Sequence, residues 1–147
     1  MLRFLEGSGS TEAREKGFGD RIKELGLTLV EAAYTKGAGS TTDANETADG
    51  LLRRYIQNNQ VQVDGIFASN QPTAIGMLRK LDVLRAQGVR IDCPYVGFDA
   101  HEVLLQGIRD DKIAAIVTQD PRQMGYLGVK NMVAHLRARR LSPPSPR

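Results

Sequence analysis

Tryptophan is absent from this chain, cysteine occurs once, and aromatic residues of any kind are few. Aromatic residues make up 5% of the 147 residues, so a core has to be built from Leu, Ile, Val and Ala. The single Cys93 excludes an internal disulfide and any metal site that needs several cysteines. We expect it to be buried and unreactive beside an apolar strand. His101 and His135 stand far apart, so neither a metal nor another cofactor is predicted.

Long hydrophobic runs are also absent from the sequence. None approaches the ~18 apolar residues that cross a bilayer, so no membrane span is predicted. The first residues do not resemble a signal peptide, because Glu6 interrupts a short apolar run, and the chain as written would stay in the cytoplasm. The net charge of +3 comes mostly from Arg137, Arg139, Arg140 and Arg147, so no basic face for nucleic acid is predicted.

What the sequence does contain is a regular alternation of short apolar runs and helical patterns. The runs predict strands at residues 2–5, 27–33, 64–69, 95–98 and 113–117. Each is followed by a helical pattern, which indicates an α/β fold: a five-stranded parallel sheet in a three-layer αβα sandwich. We therefore predict one lobe over residues 1–141, followed by a disordered Pro/Ser tail at 142–147. The apolar stripe of the last helix is expected to be buried: Gly125, Val129, Met132, Val133 and Leu136.

Motifs for catalysis and for nucleotide binding are incomplete. The loop at residues 7–11 is glycine-rich, but Glu12 stands where a dinucleotide fingerprint needs its third glycine, and no Gly-Lys-Ser/Thr follows. No serine lies in a Gly-x-Ser-x-Gly turn. The carboxylate pair Asp110 and Asp111 lies in a polar turn. These observations predict that the chain is not an enzyme.

Polar residues follow four of the predicted strands. Arg14 lies one turn into the first helix, Asn70 follows the third strand, Asp99 follows the fourth after Phe98, and Gln119 follows the fifth. Ligands of parallel sheets bind outside the carboxyl ends of the strands. A cation, a carboxylate and two amides beside an aromatic ring suit a sugar, whose hydroxyls both donate and accept hydrogen bonds.

Each of these residues also has a purely structural interpretation. Asn70 and Asp99 could be helix N-caps, and Arg14 could be a surface residue paired with a neighbouring Glu. Gln119 could be a loop residue, and Phe98 could belong to the core. The shared position on one edge of the sheet favours a binding site.

Four segments in order resemble a known family. They are STEAREKGF at 10–18, DGIFASN at 64–70 with TAIG at 73–76, VGFD at 96–99, and VTQDP at 117–121 with MGY at 124–126. Together they resemble the C-terminal lobe of type I periplasmic sugar-binding proteins, the ribose-binding group of ABC importers. The resemblance implies a monosaccharide ligand, an ABC permease as partner and a periplasmic location. It also implies that Arg14, Asn70, Asp99 and Gln119 hydrogen-bond sugar hydroxyls, with Phe98 nearby.

Two other functions share this fold class. The effector lobe of a lactose-repressor-type regulator resembles the segments at 64–76 and 96–99, and an enzyme of flavodoxin-like topology has the same layers. The second lobe that lines the family's cleft is not in this sequence, so we interpret the chain as a truncated single lobe. It is expected to bind sugar weakly and, through its bare cleft face or the cut hinge edge, to form a weak homodimer.

Overall fold

The computed structural model describes residues 1–141, with side chains to residue 138. The tail predicted at 142–147 lies outside the described residues. The strands are β1 (Leu2–Arg3), β2 (Ala33–Tyr34), β3 (Ile56–Gln57), β4 (Gln60–Val61), β5 (Ile66–Phe67), β6 (Tyr95–Phe98) and β7 (Ala115–Val117). The helices are α1 (Gly9–Glu24), α2 (Thr41–Leu52), α3 (Gln71–Ala86), α4 (Glu102–Arg109) and α5 (Pro121–Leu141), with a 3-10 turn at Arg53–Tyr55.

Five of the strands run parallel in the order β2-β1-β5-β6-β7. β1 pairs with β2, and β5, β6 and β7 form a three-stranded sheet. A single bridge between Leu2 and Ala68 joins the two groups. The α/β class with a parallel sheet is therefore confirmed, although the sheet divides into two short parallel sheets at this seam.

The fourth strand has its predicted bounds, the first, third and fifth are shorter than predicted, and the second is shortened most. The sequence predicts residues 27–33, whereas β2 contains only Ala33 and Tyr34. The cause is the short neighbouring strand, because β1 offers only its two residues as a ladder partner. Leu27, Leu29 and Val30 consequently lie outside the sheet and remain exposed.

An antiparallel hairpin that was not predicted lies between α2 and β5. Ile56 pairs with Val61 and Gln57 pairs with Gln60, so two residues close the turn. Both of them, Asn58 and Asn59, have positive φ angles of 49° and 60°. That backbone matches the type I′ turn, in which Asn is one of the favoured residues. The Asn-Asn pair was the available signal for the hairpin.

Helices cover both faces of the sheet, as an αβα sandwich requires. The sequence pattern of α3 predicts an apolar stripe of Ala74, Met77, Leu78, Leu81 and Leu84. These side chains are buried with the apolar side of α2, and the two helices form the main core. Gly76 permits the close contact, since a Cβ there would lie 2.6 Å from the Ala44 Cβ. Ile66 belongs to that core, whereas the ring of the next residue, Phe67, stacks on Phe18 of α1 with 4.4 Å between centroids. Successive strand residues point to opposite faces, so α1 covers the other side.

The last helix differs from the prediction. The apolar side chains of its predicted stripe are exposed rather than buried, with Val129 at 58% and Leu136 at 53%. The expectation assumed that α5 packs on the sheet, whereas every residue of its stripe is exposed. Within residues 1–141, no helix combines the length and the apolarity that are needed to cross a membrane. Cys93 is half-buried, and burial raises the pKa of its thiol.

Replacing Tyr95 by Phe is expected to destabilise the fold. Tyr95 is 1% exposed and its hydroxyl donates a 2.7 Å hydrogen bond to the carbonyl oxygen of Ala74. We expect Tyr95→Phe to lower the free energy of unfolding by about 1–2 kcal/mol, measured by urea denaturation at neutral pH. Tyr126→Phe, on exposed α5, is the matched control and should change nothing. Equal midpoints for both variants would contradict the role of the buried hydroxyl.

The stability of Tyr95→Phe should also depend on pH differently from that of the wild type. Burial raises the pKa of Tyr95 above its ordinary value of 10.0, so the folded state keeps this phenol protonated. The unfolded chain loses the proton above pH ~10, and the wild type should then lose stability as pH rises further. Tyr95→Phe lacks this group, so its stability should decline less steeply above pH ~10.

Candidate ligand-binding site

The carboxyl ends of β5, β6 and β7 converge at one edge of the sheet. Asn70 follows β5 by three residues, Asp99 follows β6 directly, and Gln119 follows β7 by two residues. The backbone N–H of Asp99 donates to the carbonyl oxygen of Val117 at 2.9 Å, which holds the last two loops side by side. The three strand-end residues of the sequence analysis therefore meet at this edge.

The side chain of Asp99 connects the loops after two strands with the start of α3. Its Oδ1 accepts a hydrogen bond from Nε2 of Gln119 at 2.5 Å, and its Oδ2 accepts from the backbone N–H of Gln71 at 3.2 Å. Asp99 has a φ of 70°, which is rare for a residue with a side chain. It is not a helix cap, because the N-cap of α4 is His101.

Arg14 reaches the same edge from α1. Its Nη1 donates to the carbonyl oxygen of Ser69 at 3.1 Å, and its Cζ lies 4.0 Å from the centroid of the Phe98 ring. Arg14 thus contacts the end of β5 and the end of β6 together, which differs from a surface residue paired with its helix neighbours. Phe98 is 8% exposed, and the guanidinium covers one face of its ring.

Asn70 caps α3, as its structural interpretation predicted. Its Oδ1 accepts from the backbone N–H of Thr73 at 3.2 Å and from the Thr73 hydroxyl at 2.8 Å. The cap uses the oxygen of the amide and not its nitrogen. A helix cap and a ligand contact are therefore compatible roles for this residue.

A cavity of about 500 Å³ opens between these loops. Its lining includes Asp99 and Gln119 together with Gln71, Thr118 and Met124, whereas Arg14, Asn70 and Phe98 lie outside the lining. Site cavities for small molecules have volumes of roughly 300–1,000 Å³, so a small polar ligand can fit here. A separate hollow of about 360 Å³ between α3 and α4 contains none of the strand-end residues.

The sequence of the chain matches one family over nearly its whole length. Residues 1–140 match the family described as the periplasmic binding protein domain. This chain belongs to that family. The ribose import binding protein RbsB of Escherichia coli is 29% identical in an alignment that covers 84% of this chain and 46% of RbsB.

Two solved structures of sugar transport proteins are similar to this periplasmic binding protein domain. The periplasmic component of an ABC-type sugar transport system from Hahella chejuensis superposes with a TM-score of 0.76 at 29% identity, over 93% of this chain and 47% of that protein. A carbohydrate transporter solute binding protein from Agrobacterium radiobacter, in complex with D-arabinose, superposes with a TM-score of 0.74 at 29% identity, over 93% and 44%. The domain therefore spans about half the length of these relatives.

Some residues at this edge of the domain were missed by the sequence analysis. Ser69 is fully buried and accepts the hydrogen bond from Arg14, and Glu15 is 3% exposed beside it. Neither was predicted to be a site residue. The signal for Ser69 was its place between an apolar strand and Asn70. Glu15 had no comparable signal, because a glutamate in the first turns of a helix is common.

Replacing Asp99 by Gly tests what its side chain contributes. Asp111→Gly is the matched control, because Asp111 also has a positive φ, 55°, and lies in a turn after α4. Glycine relieves the left-handed backbone at both positions, so we expect Asp111→Gly to stabilise the domain by about 0.5 kcal/mol. Asp99→Gly should gain less, since it also loses the contacts with Gln119 and Gln71. Urea denaturation measures both changes, and an equal gain would show that the two contacts contribute nothing.

Proposed function

We propose that this domain is the sugar-binding lobe of a carbohydrate solute-binding protein that serves an ABC importer, and that its ligand is a monosaccharide. The observation that carries the proposal is the convergence of Arg14, Asn70, Asp99 and Gln119 at one edge of a parallel sheet. The names of the similar proteins support it, because they bind ribose or other carbohydrates for transport. A periplasmic location and an ABC permease as partner belong to the same proposal.

The four polar side chains offer what vicinal hydroxyls require. Each sugar hydroxyl donates one hydrogen bond and accepts others, so its partners must include both kinds of group. Arg14 can only donate, and Asp99 as a carboxylate can only accept. The amides of Asn70 and Gln119 do both, and the internal contacts use the oxygen of Asn70 and the nitrogen of Gln119. The amide groups left for a ligand are the NH2 of Asn70, which donates, and the Oε1 of Gln119, which accepts.

Phe98 contributes to the proposed site through Arg14. Its ring is buried and one face carries the guanidinium, an arrangement that is worth roughly 0.5–2 kcal/mol and restricts where the cation can lie. We therefore assign Phe98 the role of a support under Arg14, in place of a stacking surface for the sugar ring.

Binding by this lobe alone should be weak. Tight small-molecule sites bury most of the surface of their ligand. Here one wall consists of the strand ends, and the domain spans about half the length of its relatives. We expect dissociation constants of about 1 mM, which corresponds to roughly −4 kcal/mol.

An NMR titration with sugar up to tens of millimolar tests the site. We expect ribose or arabinose to shift the amide signals of residues 70, 71, 99 and 119, and to leave those of Asp82 and Lys112 near the α3–α4 hollow unchanged. Asp99→Asn should weaken the binding about tenfold, because it removes the charge from the acceptor. Asp110→Asn, at the other end of the sheet, is the matched control and should bind as the wild type does.

Two results would count against the proposed site. One is the absence of shifts at these positions for every pentose and hexose tested. The other is an equal loss of affinity in both variants. Micromolar or tighter binding would show that one wall suffices, and would contradict the expected weakness.

A weak homodimer is a further part of the proposal, and we propose α5 as its interface in place of the cleft face or the hinge edge that the sequence predicted, because Phe98 on the cleft face is buried. The exposed side chains of Val129, Met132, Val133 and Leu136 recur at the spacing that forms one apolar stripe. A helix of 21 residues is about 31 Å long and 10 Å wide. Two such helices in contact bury roughly 600 Å² in total, well below the 1,200–2,000 Å² of stable complexes. An interface this small predicts reversible association.

Sedimentation at high micromolar concentration tests the dimer. The wild type should show an average mass that rises with concentration. Val133→Glu places a charge in the stripe and should keep the domain monomeric. Asn131→Glu adds the same charge on the other side of α5 and should associate like the wild type. A wild-type mass that stays monomeric over this range would end this part of the proposal.

A further inference from the structure

The weakest connection in the sheet lies between β1 and β5. Elsewhere the parallel strands pair over two or three residues, whereas here one bridge joins Leu2 and Ala68. The next backbone contact, from the N–H of Ser69 to the carbonyl oxygen of Leu2, is long at 3.3 Å. On its β1 side, the end of β5 from which Asn70 follows is therefore held only loosely by the backbone, whereas on the β6 side the N–H of Ala68 donates to the carbonyl oxygen of Val96 at 3.1 Å.

The side chain of Glu15 crosses this seam. Its Oε2 accepts a hydrogen bond from Nε of Arg3 at 2.7 Å, within an ion pair. Its Oε1 accepts from the backbone N–H of Phe4 at 3.1 Å and from the Ser69 hydroxyl at 2.8 Å. The carboxylate thus collects three donors, two from the β1 segment and one from the end of β5, and it is 3% exposed.

Ser69 is shared between two consecutive residues of α1. Glu15 accepts from its hydroxyl, and Arg14 donates to its carbonyl oxygen at 3.1 Å. The same Arg14 lies on the Phe98 ring of β6. On the other side of the seam, the guanidinium of Arg3 lies 3.8 Å from the centroid of the Tyr34 ring. A series of contacts therefore runs from β2 to β6 through Glu15. Its members in order are Tyr34, Arg3, Glu15, Ser69, Arg14 and Phe98.

We infer that Glu15 is a positioning residue for the proposed ligand edge, by which we mean the carboxyl ends of β5, β6 and β7 with Arg14 beside them. By joining α1 to β1 and to Ser69, it sets the place of Arg14 on the Phe98 ring. Its effect on sugar affinity rests on the proposed function, whereas its effect on Arg14 does not. A carboxylate is required because three donors point at it. In a glutamine, the NH2 group would face one or more of these donors.

The first experiment needs no sugar. Protons of the Arg14 side chain lie over the Phe98 ring, so the ring shifts their NMR signals upfield. We expect Glu15→Gln to move these signals toward the values of a free arginine side chain. Glu12→Gln is the matched control, because Glu12 lies on the same helix and its Oε1 accepts a hydrogen bond from the N–H of Gly7 across the loop. It should leave the Arg14 signals in place.

The second experiment is a double-mutant cycle on sugar affinity, recorded well below the unfolding temperature of every variant. Glu15→Gln should weaken ribose or arabinose binding about tenfold in the wild-type background. In the Arg14→Ala background it should weaken binding by less than about twofold, since the residue through which it acts is gone. If Glu15→Gln only lowered the stability of the fold, sugar binding would weaken by the same factor in both backgrounds.

Unchanged Arg14 signals in folded Glu15→Gln would overturn the inference, as would equal factors in the two backgrounds. If Glu15→Gln does not fold, Ser69→Ala removes only the hydroxyl contact and should shift the Arg14 signals in the same direction. If the wild type binds no sugar, the proposed function fails, and the Arg14 signals still decide whether Glu15 positions that residue.

Discussion

The parallel register of β5, β6 and β7 is the constraint on which the ligand edge depends. Phe98 pairs with Val117, so β6 and β7 end at the same level, and Phe67 at the end of β5 pairs with Val96, two residues before the end of β6. A slip of one residue in β6 would turn Phe98 to the opposite face of the sheet. Arg14 would then lose the ring on which it lies. The convergence of the polar side chains is thus a consequence of backbone pairing and of the side-chain alternation that accompanies it.

Beside this backbone, α1, β1 and the end of β5 are joined by polar contacts of two buried residues, Glu15 and Ser69. A carboxylate without partners inside a protein is costly, and Glu15 is tolerated because it accepts three hydrogen bonds. Such a network specifies geometry more than it adds stability, because each contact works only with the others in place. Ser69 illustrates this, since its hydroxyl, its carbonyl oxygen and its N–H are all used.

Local patterns predicted much of this from the sequence. The strands at β5, β6 and β7 and the buried stripe of α3 follow from periodicity, and the place of Asn70, Asp99 and Gln119 follows from the rule for strand ends. The extent of β2 depends on how many residues β1 offers it, and the exposure of α5 depends on where the chain turns after Asp120. Glu15 was missed because its three partners are 11 to 54 residues away. Contacts between residues so far apart in the sequence produce no periodic pattern that could predict them.

The burial of the Phe98 ring under Arg14 has a kinetic consequence. A lobe that meets its ligand with hydrogen bonds alone, without an open aromatic surface, exchanges that ligand quickly. With association near 10⁸ M⁻¹s⁻¹ and millimolar affinity, a bound sugar would remain for about 10 μs. Long residence then has to come from whatever closes over the other face of the ligand. In the proposed site, the strand ends of this domain would decide which hydroxyl pattern is accepted, while the time the ligand stays would be set elsewhere.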